Sequence, residues 1–354
     1  MSNLPPSGEI PRGAIRFNTD SNKPELWDGS QWAEFQLSTP NLGQGSDTQL
    51  GARGVFQGGI SPSETDTVDY INISTTGNAI DFGNLSATRR LGAAFASSTR
   101  VFTFGGFDGS NATTEVEFFV FASTGDAIDF GSSIDNAVRS NGGAANATRG
   151  LSLGGTAPKG DDIDYITMAS NGSSVNKFGN PITSPGSTIT QAYGTASPTR
   201  AVFGGGETPG RISTLQFVNI ATLGNAQDFG DLTADISGTA AFGNATRGIF
   251  GGGEISPNFL STMESINFAS TGNAVIFGEL TQGTGGLRQQ GSASSPTRGV
   301  FAGGSNDTPS SSTVYNVIQY VNIPTEGDAV DFGDLSAGRW QIMNGTTSNA
   351  HGGL

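Results

Sequence analysis

The chain has 354 residues, a formal charge of -14 from 31 acids against 17 bases, 54 Gly, no Cys and one His, His351. Without Cys there is no disulfide framework, thiol nucleophile or cysteine-held metal, and one His cannot build a multi-histidine metal site, so no cofactor or metal is expected. The acidic balance argues against nucleic acid, whose phosphates need clustered Lys and Arg, and no apolar run nears the ~20 residues that span a bilayer.

Residues 1–40 stand apart from the rest. The opening MSNLPPSGEIPRG lacks a basic region followed by an apolar stretch, so no signal peptide is expected. GAIRFN, PELWDG and QWAEF read as three short strands, with Asp28–Gly29 as a hairpin turn. So short a segment rarely keeps a core of its own. Phe17, Trp27, Trp32 and Phe35 therefore need a covering surface, either the side of the following domain or another chain. Residues 41–52, rich in Gly, Ser and Gln, read as a flexible linker, which favours an anchor onto another chain.

From residue 53 to 354 the chain repeats itself. ARGVFQGG, TRVFTFGG, TRGLSLGG, TRAVFGGG, TRGIFGGG and TRGVFAGG share one template, with arginines at 53, 100, 149, 200, 247 and 298. Gly-Gly follows five and six residues after each arginine. Each unit continues with an alternating stretch such as VDYINIS, then a turn such as TTGNA, then AIDFG or a variant. A segment poor in large residues, such as RLGAAFASS, completes it.

Two-residue alternation between Gly/Asn/Asp turns marks half-buried strands. We designate the small-residue segment strand a, the Arg-to-Gly-Gly segment b, the alternating segment c and the DFG-like segment d. The expected fold is all-β: a six-bladed β-propeller of four-stranded blades after a short N-terminal β module. The first unit opens at strand b, so residues 339–348 are expected to supply its missing strand a. By repeat spacing, Asn349 falls where a seventh arginine would stand. His351 is expected to lie in a fraying end.

The strand pattern and the Gly-Gly closing strand b resemble Kelch-type propellers, although Phe of the DFG-like segment stands where Kelch units carry Trp. GAIRFNTDSNKPELWDGSQWAEF resembles short modules of bacteriophage virion proteins, especially tail fibres and other appendages. The TRGVFGGG and ASTGNAIDFG repeats resemble structural proteins of marine and cyanobacterial phages. The resemblance implies a virion component, most often a host-facing appendage. Expected partners are other virion proteins, through the N-terminal module, and a host-surface glycan or protein. Nucleic acid and membrane insertion are not expected, and the sequence leaves a homo-oligomer open.

Length variation concentrates in the b–c and d–a connections, which leave an up-and-down blade on one face. Candidate receptor-binding residues there are Asp108, Asn111, Asp161, Asp162, Glu207, Arg211, Glu254, Phe259, Asn306, Asp307 and Tyr315. Acidic, amide and aromatic groups suit sugar hydroxyls and ring faces. The repeated arginines either tie blades together or ring a channel that binds an anion. The DFG copies lack a phosphate loop and a catalytic loop, which makes them structural. No triad, metal motif or singled-out carboxylate pair points to catalysis. The sequence thus favours a non-enzymatic adhesin, with a capsid, neck or tail decoration protein as the alternative and a glycan-degrading enzyme third.

Overall fold

The computed structural model describes residues 10–18, 23–34, 52–131, 137–156, 160–172, 175–182, 187–255, 257–282, 286–306 and 313–354. Strands, turns and bends make up this described chain, with no helix among them. It divides into two compact units, Met1–Gln49 and Leu50–Leu354.

In the first unit, Ile15–Asn18, Lys23–Trp27 and Trp32–Glu34 form an antiparallel meander. The Asp28 carboxylate accepts the N–H groups of Ser30 and Gln31 at 2.7 and 2.8 Å, and Gly29 takes φ 104°. These donors hold the Asp28 carboxyl below its usual range. Trp27 and Trp32 sit opposite one another with ring centroids 5.4 Å apart. Arg16 lies over the Trp32 ring and bonds Glu25 at 2.6 Å. Trp27 is buried. Phe35 and the Phe17 side chain lie outside the described residues.

The second unit is a six-bladed β-propeller. Five sheets have four antiparallel strands in the order a-b-c-d. The first blade supplies only b, c and d in sequence: Arg53–Gln57, Thr67–Asn72 and Ile80–Asn84. Every inner strand, from Ala93–Ala96 in the second blade to Gly291–Ser294 in the sixth, is fully buried. These strands are not uniformly small: Phe95, Tyr193 and Phe242 fit because glycine faces some of them. A Cβ on Gly150 would overlap the Phe95 ring, and one on Gly299 the Phe242 ring.

The apolar cores lie between blades. One packs Phe95, Phe102 and Phe118 of the second blade against Ile166 and Met168 of the third. Another joins Phe56 and Ile71 of the first blade to Ala293 and Val300 of the sixth, so apolar burial closes the circle.

The repeat motifs are the polar ties across these interfaces. The glycine N–H of each c–d turn donates to the Phe carbonyl of strand d in the preceding blade. The six bonds are Gly77 to Phe332, Gly125 to Phe82, Gly172 to Phe130, Gly224 to Phe178, Gly272 to Phe229 and Gly327 to Phe277, at 2.5–3.1 Å. In five of the six, a Cβ on the glycine after that Phe would overlap the turn's backbone, as Gly83 would meet Gly125 O. This close approach explains the Phe-Gly pair.

Buried polar side chains on strand c add a second set. Asp69, Glu117, Gln216, Glu264 and Gln319 accept N–H bonds from Ser336, Ser86, Ile182, Thr233 and Thr281 of the preceding blade, at 2.7–3.2 Å. The Gly-Gly pair makes a third. Its second N–H reaches the d–a carbonyl leading to the next blade, as Gly59 to Arg89 and Gly304 to Arg339.

The C-terminal segment closes the ring. Val55 N–H donates to Thr347 O at 2.9 Å, Met343 N–H to Gln57 O at 3.2 Å, and Gly54 bridges Ser348. Buried Arg339 pairs with buried Asp69 at 2.8 Å and donates to Gly58 O and Thr67 O. Residues 344–346 leave the sheet and cross the axis. Asn344 bonds the backbones of Gly92, Ala94 and Gly143, and Thr346 bonds Ala241 O. Spacing misplaced Asn349 because of this excursion. It occupies the a–b turn position held by Ser97, Asn146, Ser197, Asn244 and Ser295, not an arginine position. Its carboxamide oxygen accepts the Arg53 N–H at 2.8 Å, as Asn146 accepts that of Arg149 at 2.9 Å.

Deletion of residues 339–354 removes the first blade's inner strand and leaves Asp69 buried without its cation. Breaking such a pair alone costs roughly 3–5 kcal/mol. The truncated chain should melt at least ~10 °C lower in calorimetry; an unchanged melting curve contradicts this closure. Gly230→Ala, at φ 144° with Gly272 O in the way, should destabilise by about 1–3 kcal/mol in denaturant unfolding. Gly210→Ala, with open space around it, should stay within about 0.5 kcal/mol.

Candidate binding face

The up-and-down order puts a–b and c–d turns at one end of every blade and b–c and d–a connections at the other. At the turn end the repeat arginines tie neighbouring blades together. Each repeat arginine donates from Nη1 to a carbonyl just past strand c of the next blade. Arg53 reaches Phe121, Arg149 reaches Ile220 and Arg200 reaches Phe268 at 2.6–2.8 Å. Arg100, Arg247 and Arg298 reach Met168, Ile323 and Ile73 at 3.1–3.4 Å. Arg53, Arg100, Arg149, Arg200 and Arg298 also lie 4.6–5.1 Å from aromatic rings on their own strand c. The arginines tie blades together and do not line the axis.

The C-terminal residues occupy that axis. His351, expected to fray, is buried. Its Nε2 lies 2.7 Å from Ala96 O, and its Nδ1 accepts the Gly353 N–H at 3.1 Å. That pairing fixes the neutral ring with hydrogen on Nε2. Burial pushes its pKa down to about 4, partly offset by the bond to Ala96.

At the loop end the mouth of the axis has a repeated rim. Leu91, Ser140, Gln191, Gly238, Gln289 and Gln341 take φ of 53–66° immediately before the inner strands. Their backbones bond in series: Leu91 N–H to Gln341 O, Ser140 to Leu91, Gln191 to Ser140, Gly238 to Gln191 and Gln289 to Gly238. Gly238 leaves room for Gln289 to donate across it to Gln191 at 2.7 Å.

The residue before each rim position pairs with the residue after a Gly-Gly. These pairs include Trp340 with Ile60, Arg90 with Phe107, Thr190 with Glu207, Ser237 with Glu254 and Arg288 with Ser305. Ile60, Phe107, Glu207, Glu254 and Ser305 also bridge the far side of their own b–c loops. The bases of the loops are thereby fixed.

The structure gathers some candidates and separates others. Glu207, Arg211, Glu254 and Phe259 come together across the fourth and fifth blades. Arg211 bonds Glu254 at 2.5 Å, Arg288 also pairs with Glu254, and Ser237 donates to Glu207 at 2.9 Å. The Arg288 guanidinium lies 5.2 Å from Phe259 and 5.1 Å from Trp340. Asp162 pairs with Lys177 on the third blade, beside Asp161. On the sixth, Asn306 donates to the Tyr315 hydroxyl at 3.0 Å. Asp307 lies outside the described residues. Asp108 and Asn111 form one turn on the second blade: Asp108 accepts the Ser110 and Asn111 N–H groups at 2.8 and 2.7 Å, which lowers its pKa.

Sequence reasoning missed Arg90, Phe107, Arg139, Arg288 and Trp340. Arg90 and Arg139 lie 4.8 and 4.2 Å from the Phe107 ring. Aligning the residue three before each inner strand shows an arginine-rich column, Arg90, Arg139 and Arg288 with Thr190 and Ser237, but only the backbone pairing places that column beside the rim. Among the described residues, no group of three or more His, Cys, Asp or Glu is placed to hold a metal ion.

The buried His351 makes stability pH-dependent. Its folded pKa lies below the unfolded value, so the unfolded chain binds the extra proton between about pH 6.5 and 4, and stability falls as pH drops through that window. Relative to His351→Gln, the protein should lose roughly 3 kcal/mol more between pH 7 and 4 in parallel denaturant titrations. Parallel curves contradict a buried neutral ring. No family model matches the chain and no curated protein matches it.

Proposed function

We propose that this chain is a non-catalytic component of a bacteriophage particle. Its N-terminal module attaches it to the particle, and its b–c and d–a loop face adheres to a host-surface glycan or protein. The observation that carries this is the division between the two ends. At the turn end, repeat side chains and backbone groups bond neighbouring blades. At the loop end, fixed backbone pairs hold guanidinium and aromatic groups around a mouth whose axis the chain fills itself. Diverse side chains on rigid loop bases suit recognition by contact. The N-terminal resemblance to phage appendage modules supports the location. The rim carboxylates Glu207 and Glu254 are engaged by Arg211, Arg288 and Ser237, an arrangement suited to positioning.

A second reading is a decoration protein that packs on the particle. The outer strands favour it: Val275, Val330, Ile80 and Ile128 are about half exposed on the consecutive blades five, six, one and two.

Labelled full-length chain should bind saturably to bacterial envelopes in a pull-down, with competition by soluble surface polysaccharide. Phe107→Ser with Phe259→Ser should weaken binding at least ~10-fold while the melting temperature stays within a few degrees. Absence of binding to the envelopes of the phage's own host, together with burial of the loop face in the assembled particle, supports decoration instead.

A further inference from the structure

The fifth blade departs from its own repeat. In the other five, the strand-c residue paired with the first residue of strand d is aromatic: Tyr70, Phe118, Tyr165, Phe217 and Tyr320. Each ring stands edge-on to the Phe of its strand d, with centroids 5.6–6.3 Å apart. Each also lies 4.6–5.1 Å from the guanidinium of its blade's repeat arginine. In the fifth blade the residue at this position, paired with Val275, is Ser265. Arg247 and the strand-d ring of Phe277 remain, 5.8 Å apart, with no strand-c ring beside them.

A cleft of about 300 Å³ opens at this place, lined by Arg247, Ser265, Asn267, Asn273, Val275 and Glu326 among others. A cavity of roughly 150 Å³ is enough for benzene. The outer strand departs from the repeat as well. Ile276 stands where the other blades carry Asp81, Asp129, Lys177, Asp228 and Asp331. Val275, which lines the cleft, and Ile276, which follows it, are 58% and 53% exposed. The fifth blade thus lacks a ring within and carries additional apolar surface without.

We propose that this cleft receives a tyrosine or phenylalanine side chain of a partner protein, whose ring takes the place that strand c fills in the other blades. Those five blades show the occupant's setting: a guanidinium over the ring and a phenylalanine at its edge. A free aromatic molecule would use the cleft alone. A peptide carrying the ring also covers Val275 and Ile276, and its polar groups can meet the Glu326 carboxylate and the Asn267 and Asn273 amides. The contact is at the turn end, opposite the loop face, so the proposal does not depend on the adhesion reading.

The repeat supplies the test. Ser265→Phe installs the residue of the second and fourth blades and fills the cleft from within. Val275→Gln with Ile276→Asp installs the fourth blade's Gln227 and Asp228 and leaves the cleft open. Full-length chain should be titrated with p-cresol, the tyrosine side-chain analogue, and with hexapeptide pools that fix Tyr, Phe or Leu at one central position. The expected result is saturable binding of p-cresol, and binding of the Tyr or Phe pool at least tenfold tighter than the Leu pool. Ser265→Phe should lose both by at least tenfold, with a melting temperature equal to or above the parent's. The outer-strand double variant should keep p-cresol and weaken the peptides several-fold.

No p-cresol binding, equal binding by Ser265→Phe, or a soaked crystal with the ring anywhere but beside Arg247 and Phe277 overturns the site. A Ser265→Phe chain that melts well below the parent overturns it too, because the space then does not fit a ring. If p-cresol binds but the Tyr and Phe pools bind no better than the Leu pool, the protein partner is overturned.

Discussion

A glycine N–H in each c–d turn donates to the phenylalanine carbonyl of the blade before it. That bond recurs six times and returns to its starting point, because Gly77 of the first blade reaches Phe332 of the last. Each sheet alone would be a four-stranded ribbon, or three-stranded in the first blade, with two apolar faces. It is stable only when both faces are covered, and the cores lie between sheets. Hydrogen bonds, strand-c carboxylates and amides, and arginine-to-carbonyl ties set the angle at which one sheet meets the next. The same geometry places glycine where a Cβ would strike the neighbouring turn.

Closure is the demand that follows. A ring of sheets needs its last interface to match its first, and here one stretch of chain serves sheet and axis together. Residues 343 and 347–349 complete the first blade, while residues 344–346 step inward to bond other inner strands. Length variation concentrates at the loop end. There the left-handed rim and the bridged loop bases keep guanidinium and aromatic groups in fixed relation.

The blade architecture was legible because it is written in repetition: the arginine, the Gly-Gly pair, the turn glycine and the DFG-like segment each recur with narrow spacing. What these residues do was legible only in part. Spacing reveals that Gly83 recurs, but not that Gly125 O of the next blade lies against it. Asn349 was misassigned because equal spacing assumes an unbroken strand, whereas the segment detours through the axis. His351 reads as a loose end on position alone, yet its ring is pinned by Ala96 and Gly353. The loop end was legible as a place in the fold, since variable length marks the b–c and d–a connections and the strand order gathers them at one end. Its rim was not, because Arg90, Arg139, Arg288 and Trp340 gain meaning from pairing partners some 17 to 280 residues away in sequence.

Amide hydrogen exchange resolved by fragment mass tests the closed ring most directly. The account predicts that amides of residues 343–353 and of the c–d turn glycines in all six blades exchange together, at the rate of global unfolding. Exchange of 343–353 at the rate of a free peptide, while the blades stay protected, would contradict it.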